Sequence, residues 1–235
     1  MSDLVTSSVG PVSPSVGLGV LHLFCKPTPL ADAESIVSAV KAAESAGCQI
    51  VTVALLGHKA DIAVMATHGD MRQLRTLQTD LQHAGLDVVD SYVSITELSE
   101  YAKDVPDSQK QVRLYPEIPP RNTAVPMTAW CFYPMSKKRD AHANWFVLPF
   151  ESRRDFMYDH GKSGRKFAGR IVQYITGSTG LDDFEWGVTL FGAHTDDIKD
   201  VVYTMRFDHA SAVYADFGQF YFGMVTPVED LVAIV

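Results

Sequence analysis

The segment Glu185-Trp-Gly-Val-Thr-Leu-Phe191 decides the fold, because the chain contains a second segment of the same kind. A shift of 124 residues lays Asp61-Ile-Ala-Val-Met-Ala-Thr67 on it. Each segment is an apolar run of strand length followed by a turn and a helical pattern, which carries Leu74 in the first copy and Ile198 in the second. A repeated strand and helix predict two similar units within one chain.

The elements around these two segments follow one order in both halves. An apolar strand comes first, at 18–25 and at 145–150, and a helix, two strands, a second helix and a last strand follow it. The strands after each first helix, 50–55 and 171–176, are β-branched and apolar, which is typical of sheets covered by helices. This βαββαβ order is that of a ferredoxin-like unit. We therefore predict an α+β fold in which two ferredoxin-like units form a dimeric α+β barrel within one chain.

Proline and glycine delimit the helices of the first half. The first helix is predicted to begin near Thr28-Pro29 and to end at Gly47, and the second to end at Gly85. The predicted buried faces are Ile36, Val37 and Val40 in the first helix, and Met71, Leu74, Leu77 or Gln78, and Leu81 in the second.

The chain divides into four predicted regions. Residues 1–15, rich in Ser, Val, Gly and Pro, are expected to be a disordered tail. Residues 16–99 are the N-terminal ferredoxin-like half, and residues 130–235 are the C-terminal one. Residues 100–129 contain so many prolines that a long irregular connection is predicted, and long loops of this kind are often functional lids.

Composition excludes several classes of function. The 235 residues are 46% hydrophobic, which is ample for a buried core, and the net charge of −8 provides no basic surface for nucleic acid or an anionic membrane. The three cysteines lack CxxC and CxxCH spacing, which argues against a disulfide framework, a structural zinc site and covalently attached haem, and favours a cytoplasmic location. Neither an export signal nor a membrane span is predicted. Small-molecule chemistry is favoured.

Two short stretches contain candidate reactive groups. Tyr133-Pro-Met-Ser-Lys137 combines a phenol and a cation, although a tyrosine in an apolar strand is common for packing reasons alone. His160 ends a predicted helical stretch, 151–160, with Phe156 and Met157 on its face. Either His160 is a core or C-capping histidine stabilised by the helix dipole, or it is a metal ligand. None of the eight histidines has the HExxH or HxxE spacing of a zinc or di-metal site.

Several ordered strings resemble one family, the coproheme decarboxylases of the chlorite dismutase-like superfamily. The resemblance covers about residues 16–228 and is close from Arg113 to Gly223. The strings are Arg113-Leu-Tyr-Pro-Glu-Ile-Pro119, Cys131-Phe-Tyr-Pro-Met-Ser-Lys-Lys-Arg139, Asn144-Trp145, His160-Gly161, Thr176-Gly-Ser178, Leu181-Asp-Asp-Phe-Glu-Trp-Gly-Val-Thr-Leu-Phe191 and Met205-Arg-Phe-Asp208.

The resemblance implies a role for each matching residue. His160 matches the proximal iron ligand, Tyr133 the tyrosine that forms a radical and attacks substrate propionates, and Lys137 a lysine that assists the second propionate. Gln173 matches the residue that faces iron on the distal side, and Trp145 a tryptophan near the porphyrin. The residues that match propionate anchors are Arg113, Arg206 and Ser211.

The implied reaction is the hydrogen peroxide-dependent decarboxylation of two propionates of iron coproporphyrin III, which is both substrate and redox centre, to give haem b. The alternatives are a chlorite dismutase or haem peroxidase, and a haem carrier or sensor. Because Gln173 cannot accept a proton, the peroxide base is open among a water, a substrate propionate and His142. The family further implies a homopentamer and transient contact with a coproporphyrin ferrochelatase.

Overall fold

The first half of the chain forms the predicted βαββαβ unit. The structure is a computed structural model that describes residues 10–102, 105–121 and 123–233. The elements of this half are β1 (Gly19–Pro27), α1 (Ala33–Ser45), β2 (Gln49–Leu55), β3 (Ile62–His68), α2 (Met71–His83) and β4 (Leu86–Thr96).

The second half repeats this unit with additions. A short helix, α3 (Asp107–Leu114), precedes it, and a 3-10 helix, Trp145–Val147, lies within it. Its other elements are β5 (Ala129–Lys137), β6 (Arg139–Asp140), β7 (Ala143–Asn144), α4 (Phe150–Arg165), β8 (Ile171–Gly177), β9 (Trp186–Gly192), α5 (Thr195–Met205), α6 (His209–Ala212), β10 (Ala215–Phe217), β11 (Tyr221–Val225) and α7 (Val228–Leu231).

The two units join edge to edge into a closed sheet. In the part of the chain that the structure describes, the strand order is β10-β5-β11-β2-β3-β1-β4-β8-β9, and β9 pairs with β5 to complete the ring. The strands pair antiparallel throughout, and the halves meet at two seams, β11 with β2 and β4 with β8. The predicted α+β fold of two ferredoxin-like units is confirmed.

Alternation along the strands separates two kinds of core. On β1, Val20 and Phe24 pack inside the barrel, whereas Leu21, Leu23 and Cys25 pack against α1 and α2. This follows from the two-residue period of a strand. The interior cluster is rich in aromatic residues, and its fully buried members Trp130, Phe132 and Phe191 each contribute roughly 1.5–3 kcal/mol of hydrophobic stabilisation.

His22 brings a polar ring into this interior. Nε2 of His22 lies 3.0 Å from the hydroxyl oxygen of Thr189, and the His22 ring is 4.2 Å from that of Phe132. Burial lowers the pKa of His22 to about 3, so the imidazole is neutral at physiological pH. His22 is therefore a core histidine.

The predicted start of the first helix was wrong by about one turn. Helix α1 begins at Ala33, because the carboxylate of Asp32 accepts a hydrogen bond from the backbone N–H of Ser35 at 2.8 Å and caps the helix there. Pro29 lies before the cap. The predicted end was right, since α1 stops just before Gly47, whose φ of +100° requires glycine. On α2, Leu74, Leu77 and Leu81 form the buried face.

The predicted strand at 145–150 was also wrong. Trp145 is buried against Tyr214, but Phe146 and Val147 are exposed, so these apolar residues form a 3-10 turn and not a sheet edge. Strand β5 takes the first position of the second unit. Helix α4 then runs on past Gly161 to Arg165, which places His160 inside the helix and not at its end.

The connection is less irregular than predicted. Helix α3 lies within 100–129, and it avoids the prolines because Pro106 is its N-cap and Pro116 follows its end. The predicted tail, 1–15, lies outside the described residues as far as residue 9. At its end, the N–H of Val12 donates to the Asp70 carboxylate at 3.2 Å and its carbonyl accepts from Met71 N–H at 2.9 Å. Among the described residues, no helix is both long and apolar enough to cross a membrane.

The close contact between β11 and β2 predicts that one added methyl group at Gly223 strongly destabilises the protein. A Cβ at Gly223 would overlap the carbonyl oxygen of Ala54, which belongs to the backbone of the partner strand. Gly223→Ala should therefore lower the free energy of unfolding in urea by about 1–3 kcal/mol or more. Gly69→Ala is the matched control, since a Cβ there meets nothing within 4 Å. Equal stability of the two variants would contradict this description of the seam.

Candidate functional site

A cavity of about 860 Å³ lies on the outer face of β5 and β8, next to α4 and the connection. The surface of its lining is largely apolar, with Tyr101, Phe146 and Trp186 among its walls. The residues from the sequence prediction that line it are Arg113, Lys137, Trp145, His160, Gln173 and Ser211. A cavity of this size with a few convergent polar groups is typical of a small-molecule site.

His160 projects from α4 and is held by a buried carboxylate. Its Nδ1 lies 2.9 Å from Oδ2 of Asp208 and 3.4 Å from the hydroxyl of Ser211. The Asp208 side chain is 6% exposed and also accepts a hydrogen bond from the backbone N–H of Ser211, which caps α6. Burial alone would raise the pKa of Asp208, but the hydrogen bonds from His160 and Ser211 outweigh it and hold that pKa below its usual range.

The carboxylate sets the tautomer of the neutral His160 ring. Because an ionised Asp208 only accepts hydrogen bonds, Nδ1 of His160 carries a proton and Nε2 keeps a lone pair in the neutral ring. A histidine that donates one N–H to a carboxylate is the usual arrangement of a metal-ligating imidazole. The geometry of His160 therefore suits a ligand. Among the described residues, no group of three or more His, Cys, Asp or Glu side chains is arranged to hold a metal ion.

Lys137 is a buried cation on which the charge of the same carboxylate acts. Its Nζ donates to the carbonyl of Ala210 at 2.7 Å and lies 4.5 Å from the centre of the Trp145 ring. Burial lowers its pKa to about 8, although Asp208 and Glu185 act in the opposite direction. Lys137 thus stays largely protonated at neutral pH and can lose its proton just above it.

Tyr133 and Arg206 do not line this cavity. Tyr133 is 7% exposed, and its ring stacks on Phe220 with centroids 4.4 Å apart and meets Phe217 edge-on at 5.7 Å. The Arg206 guanidinium lies 4.9 Å from the Phe217 ring and borders a separate shallow cleft of about 370 Å³. Burial raises the pKa of Tyr133, so its phenol is neutral. Along β5, however, Tyr133 shares a face with Met135 and Lys137, which do reach the cavity.

Some residues of the site were not found from sequence. Asp208 was part of a resembling string, but only the tertiary structure brings it to His160, 48 positions earlier. Glu97 accepts a hydrogen bond from the Trp186 indole at 3.3 Å, and both line the cavity. An acidic side chain directly after a strand carries no specific signal. His142, one candidate base, is exposed in the turn between β6 and β7 and is not part of the lining.

Known proteins share this sequence pattern and fold. The family model described as chlorite dismutase matches residues 29–226. The chain is 31% identical to a haem-binding protein from Thermus thermophilus, with a TM-score of 0.78 and coverage of 95% of this chain and 96% of that one. Two variants of the chlorite dismutase from Candidatus Nitrospira defluvii are 16% identical, with TM-scores of 0.73 and 0.74; each match covers 94% of this chain and 95% or 96% of the other. The latter likeness shows the fold alone.

The pKa of Lys137 predicts how stability depends on pH. The unfolded lysine titrates near 10.5 and the folded one near 8, so the unfolded chain binds more protons between these values and stability rises with pH. Relative to Lys137→Met, the wild type should gain on the order of 1 kcal/mol or more in urea unfolding between pH 8 and pH 10. Asp208→Asn removes a negative charge that raises the pKa of Lys137. In that variant, the pH range over which stability rises should begin at a lower pH. A pH-independent difference would refute the assignment.

Proposed function

This chain belongs to the chlorite dismutase family, and we propose that it is a peroxide-dependent coproheme decarboxylase. In this proposal it converts iron coproporphyrin III to haem b by oxidative decarboxylation of two propionates. One observation carries the proposal: Lys137 and His160 line one cavity, His160 is hydrogen-bonded to the buried carboxylate of Asp208, whose charge acts on Lys137, and Tyr133 lies on the same strand face as Lys137.

The cavity fits a porphyrin that bears carboxylates. Its aromatic side chains suit a flat macrocycle. Glu97, Glu100 and Glu117 also line it, so Arg113, Arg121 and Lys137 are the groups that provide cations for carboxylates in a chain of net charge −8. His160 offers one ligand nitrogen, which is what an iron ion already held by four porphyrin nitrogens takes from a protein. The haem-binding relative from Thermus thermophilus, which is 31% identical, supports a haem or porphyrin ligand. Bound iron porphyrin would supply the redox centre that reduces hydrogen peroxide.

The protein groups around this ligand bind and orient it. Asp208 keeps the Nδ1 proton of His160 in place, so Nε2 remains a neutral ligand of fixed orientation. Arg113, Lys137 and Ser211 bind propionates, and Trp145 packs beside the ring. Gln173, which lines the cavity, could donate a hydrogen bond to peroxide but could not accept a proton from it. A water or a substrate propionate is left as the base, because His142 is not part of the cavity lining.

Tyr133 carries the oxidation to the propionate. Its buried phenol is neutral, so it gives up a proton and an electron together, and the resulting phenoxyl radical takes a hydrogen atom from the β-carbon of the propionate. Loss of carbon dioxide and a second electron leaves a vinyl group. Each decarboxylation thus releases two electrons and consumes one peroxide and one proton, with two waters formed. Arg206 lies over the ring of Phe217, which contacts Tyr133. It would therefore reach only a propionate that lies close to Tyr133.

The assembly and location of the protein belong to the same proposal. We infer a ring-like homopentamer, a cytoplasmic location and a transient contact with a coproporphyrin ferrochelatase that supplies the iron porphyrin. Multi-angle light scattering tests the first of these, and a stable monomer would contradict it.

The reaction is tested with apoprotein, iron coproporphyrin III and anaerobic additions of hydrogen peroxide. Mass spectrometry should show stepwise loss of two carboxyl groups and an end at haem b. Tyr133→Phe should bind the porphyrin with unchanged affinity and yield no decarboxylated product, because phenylalanine has no O–H to lose. Tyr158→Phe, at an exposed position on α4, is the control and should retain turnover.

Other outcomes would assign the protein to another class. Full turnover by Tyr133→Phe would remove the radical role. Oxygen release from chlorite at high rate would indicate a chlorite dismutase instead. Tight porphyrin binding by wild type without any product would indicate a haem carrier or sensor.

The pair His160 and Asp208 predicts a graded loss of iron binding. His160→Ala removes the nitrogen that would bind the iron and should weaken the Soret band and the affinity for iron coproporphyrin III. Asp208→Asn should lower that affinity about 10-fold to 100-fold, as is usual for the hydrogen-bond partner of a metal ligand. Metal-free coproporphyrin III should bind all these proteins alike, and His83→Ala, exposed at the end of α2, is the matched control. An unchanged spectrum for His160→Ala would assign the iron to another histidine.

A further inference from the structure

Residues 114–118 form a wall that two compartments share. On one side, Pro116, Glu117 and Ile118 line the cavity. On the other side, the Ile118 side chain is 1% exposed and packs in the interior cluster of the barrel. Any shift of this segment would change the cavity and the barrel core together.

Side chains from three strands hold the backbone of this segment. The Thr96 hydroxyl, at the end of β4, donates to the carbonyl of Leu114 at 2.7 Å. The Tyr174 hydroxyl, on β8, donates to the carbonyl of Glu117 at 2.7 Å. Such bonds replace the ladder of a regular strand, and the bond to Leu114 pairs a carbonyl that is buried away from water.

Gln49, at the start of β2, holds the segment at two points. Its Nε2 donates to the carbonyl of Pro116 at 3.0 Å, and its Oε1 accepts from the N–H of Ile118 at 2.9 Å. A carboxamide combines a donor and an acceptor in one planar group, so a single side chain fixes both the position and the orientation of this backbone. A carboxylate could accept from Ile118 but could not donate to Pro116.

The clamped segment lies between two cavity cations. Arg113 comes one residue before it, in the last turn of α3, and Arg121 follows it. Both side chains line the cavity, and their backbone positions depend on residues 114–118. A charged pair loses most of its value when its geometry is not held, because each partner returns to water.

We propose that Gln49, together with Tyr174, is a positioning residue that sets the ligand preference of this cavity. The clamp keeps Arg113 and Arg121 where they pair with carboxylates at the connection side of a bound porphyrin, so it favours the tetracarboxylate over the dicarboxylate. The identity of the ligand rests on the proposed function, whereas the clamp rests on the hydrogen bonds alone. The N-terminal half, which carries none of the predicted site residues, thereby takes part in recognition.

The clamp is tested on the ligand-free protein by hydrogen-exchange mass spectrometry over residues 114–121. Gln49→Met has a similar size but neither hydrogen bond, and exchange at Ile118 should be roughly tenfold faster than in wild type. Gln49→Glu keeps the acceptor for Ile118 and should give an intermediate rate. Gln82→Met, exposed on α2, is the matched control and should behave as wild type. Unchanged exchange in Gln49→Met would overturn the clamp.

The preference is tested by titration with iron coproporphyrin III and with haem b. Gln49→Met should bind iron coproporphyrin III roughly tenfold more weakly than wild type does. Its affinity for haem b should fall much less, and the His160-dependent Soret band should be unchanged. Tyr174→Phe removes only a hydroxyl and should shift the ratio of the two affinities in the same direction. This variant replaces Gln49→Met in the test if Gln49→Met does not fold. Equal weakening for both ligands would overturn the role in preference. If wild type binds neither, the proposed function and the preference both fail, while the exchange rates still decide the clamp.

Discussion

The short seam between β4 and β8 is the constraint on which the site depends. It consists of two residue pairs, Ile95 with Gly177 and Thr96 with Thr176, whereas β8 pairs with β9 along its whole length. Because β4 leaves the sheet after Thr96, the earlier part of β8 has one edge without a partner strand in the described chain. An open edge has to be covered or bonded in another way. Residues of the connection and of β8 line the cavity together, so the cavity lies at this edge.

A second dependence is electrostatic. Asp208 is buried, ionised and in contact with His160, and its charge also acts on Lys137. A buried carboxylate without hydrogen bonds would be strongly unfavourable, so the donors from His160 and from the start of α6 are what allow the charge to remain. The same charge orients the His160 imidazole and raises the pKa of Lys137, which burial lowers. One residue thus determines the state of two others that the proposed chemistry uses.

Tyr133 shows how packing can serve reactivity. The ring lies among Phe217, Phe220 and Met135, apart from the cavity lining, and its pKa is raised by burial. Such an environment disfavours the phenolate and excludes water. In the proposed reaction, this keeps the phenol neutral until oxidation and separates a reactive radical from solvent. Because Tyr133 lies outside the cavity lining, a substrate propionate has to approach it beside Met135 on β5.

The sequence by itself determined the architecture, since the repeat of 61–67 in 185–191 and the two-residue alternation of the strands are local patterns that burial imposes on any chain of this fold. It also identified Lys137, His160, Gln173 and Ser211, all of which line one cavity, although their roles came from resemblance. It failed at 145–150, because a short apolar run does not reveal whether it is a strand or a turn that buries one tryptophan. Only the tertiary structure decided that Asp208 meets His160, that Gln49 reaches the connection, and that Tyr133 and Arg206 lie outside the cavity lining. These are contacts between residues distant in the chain, and they depend on how the two units close on each other, which no local pattern encodes.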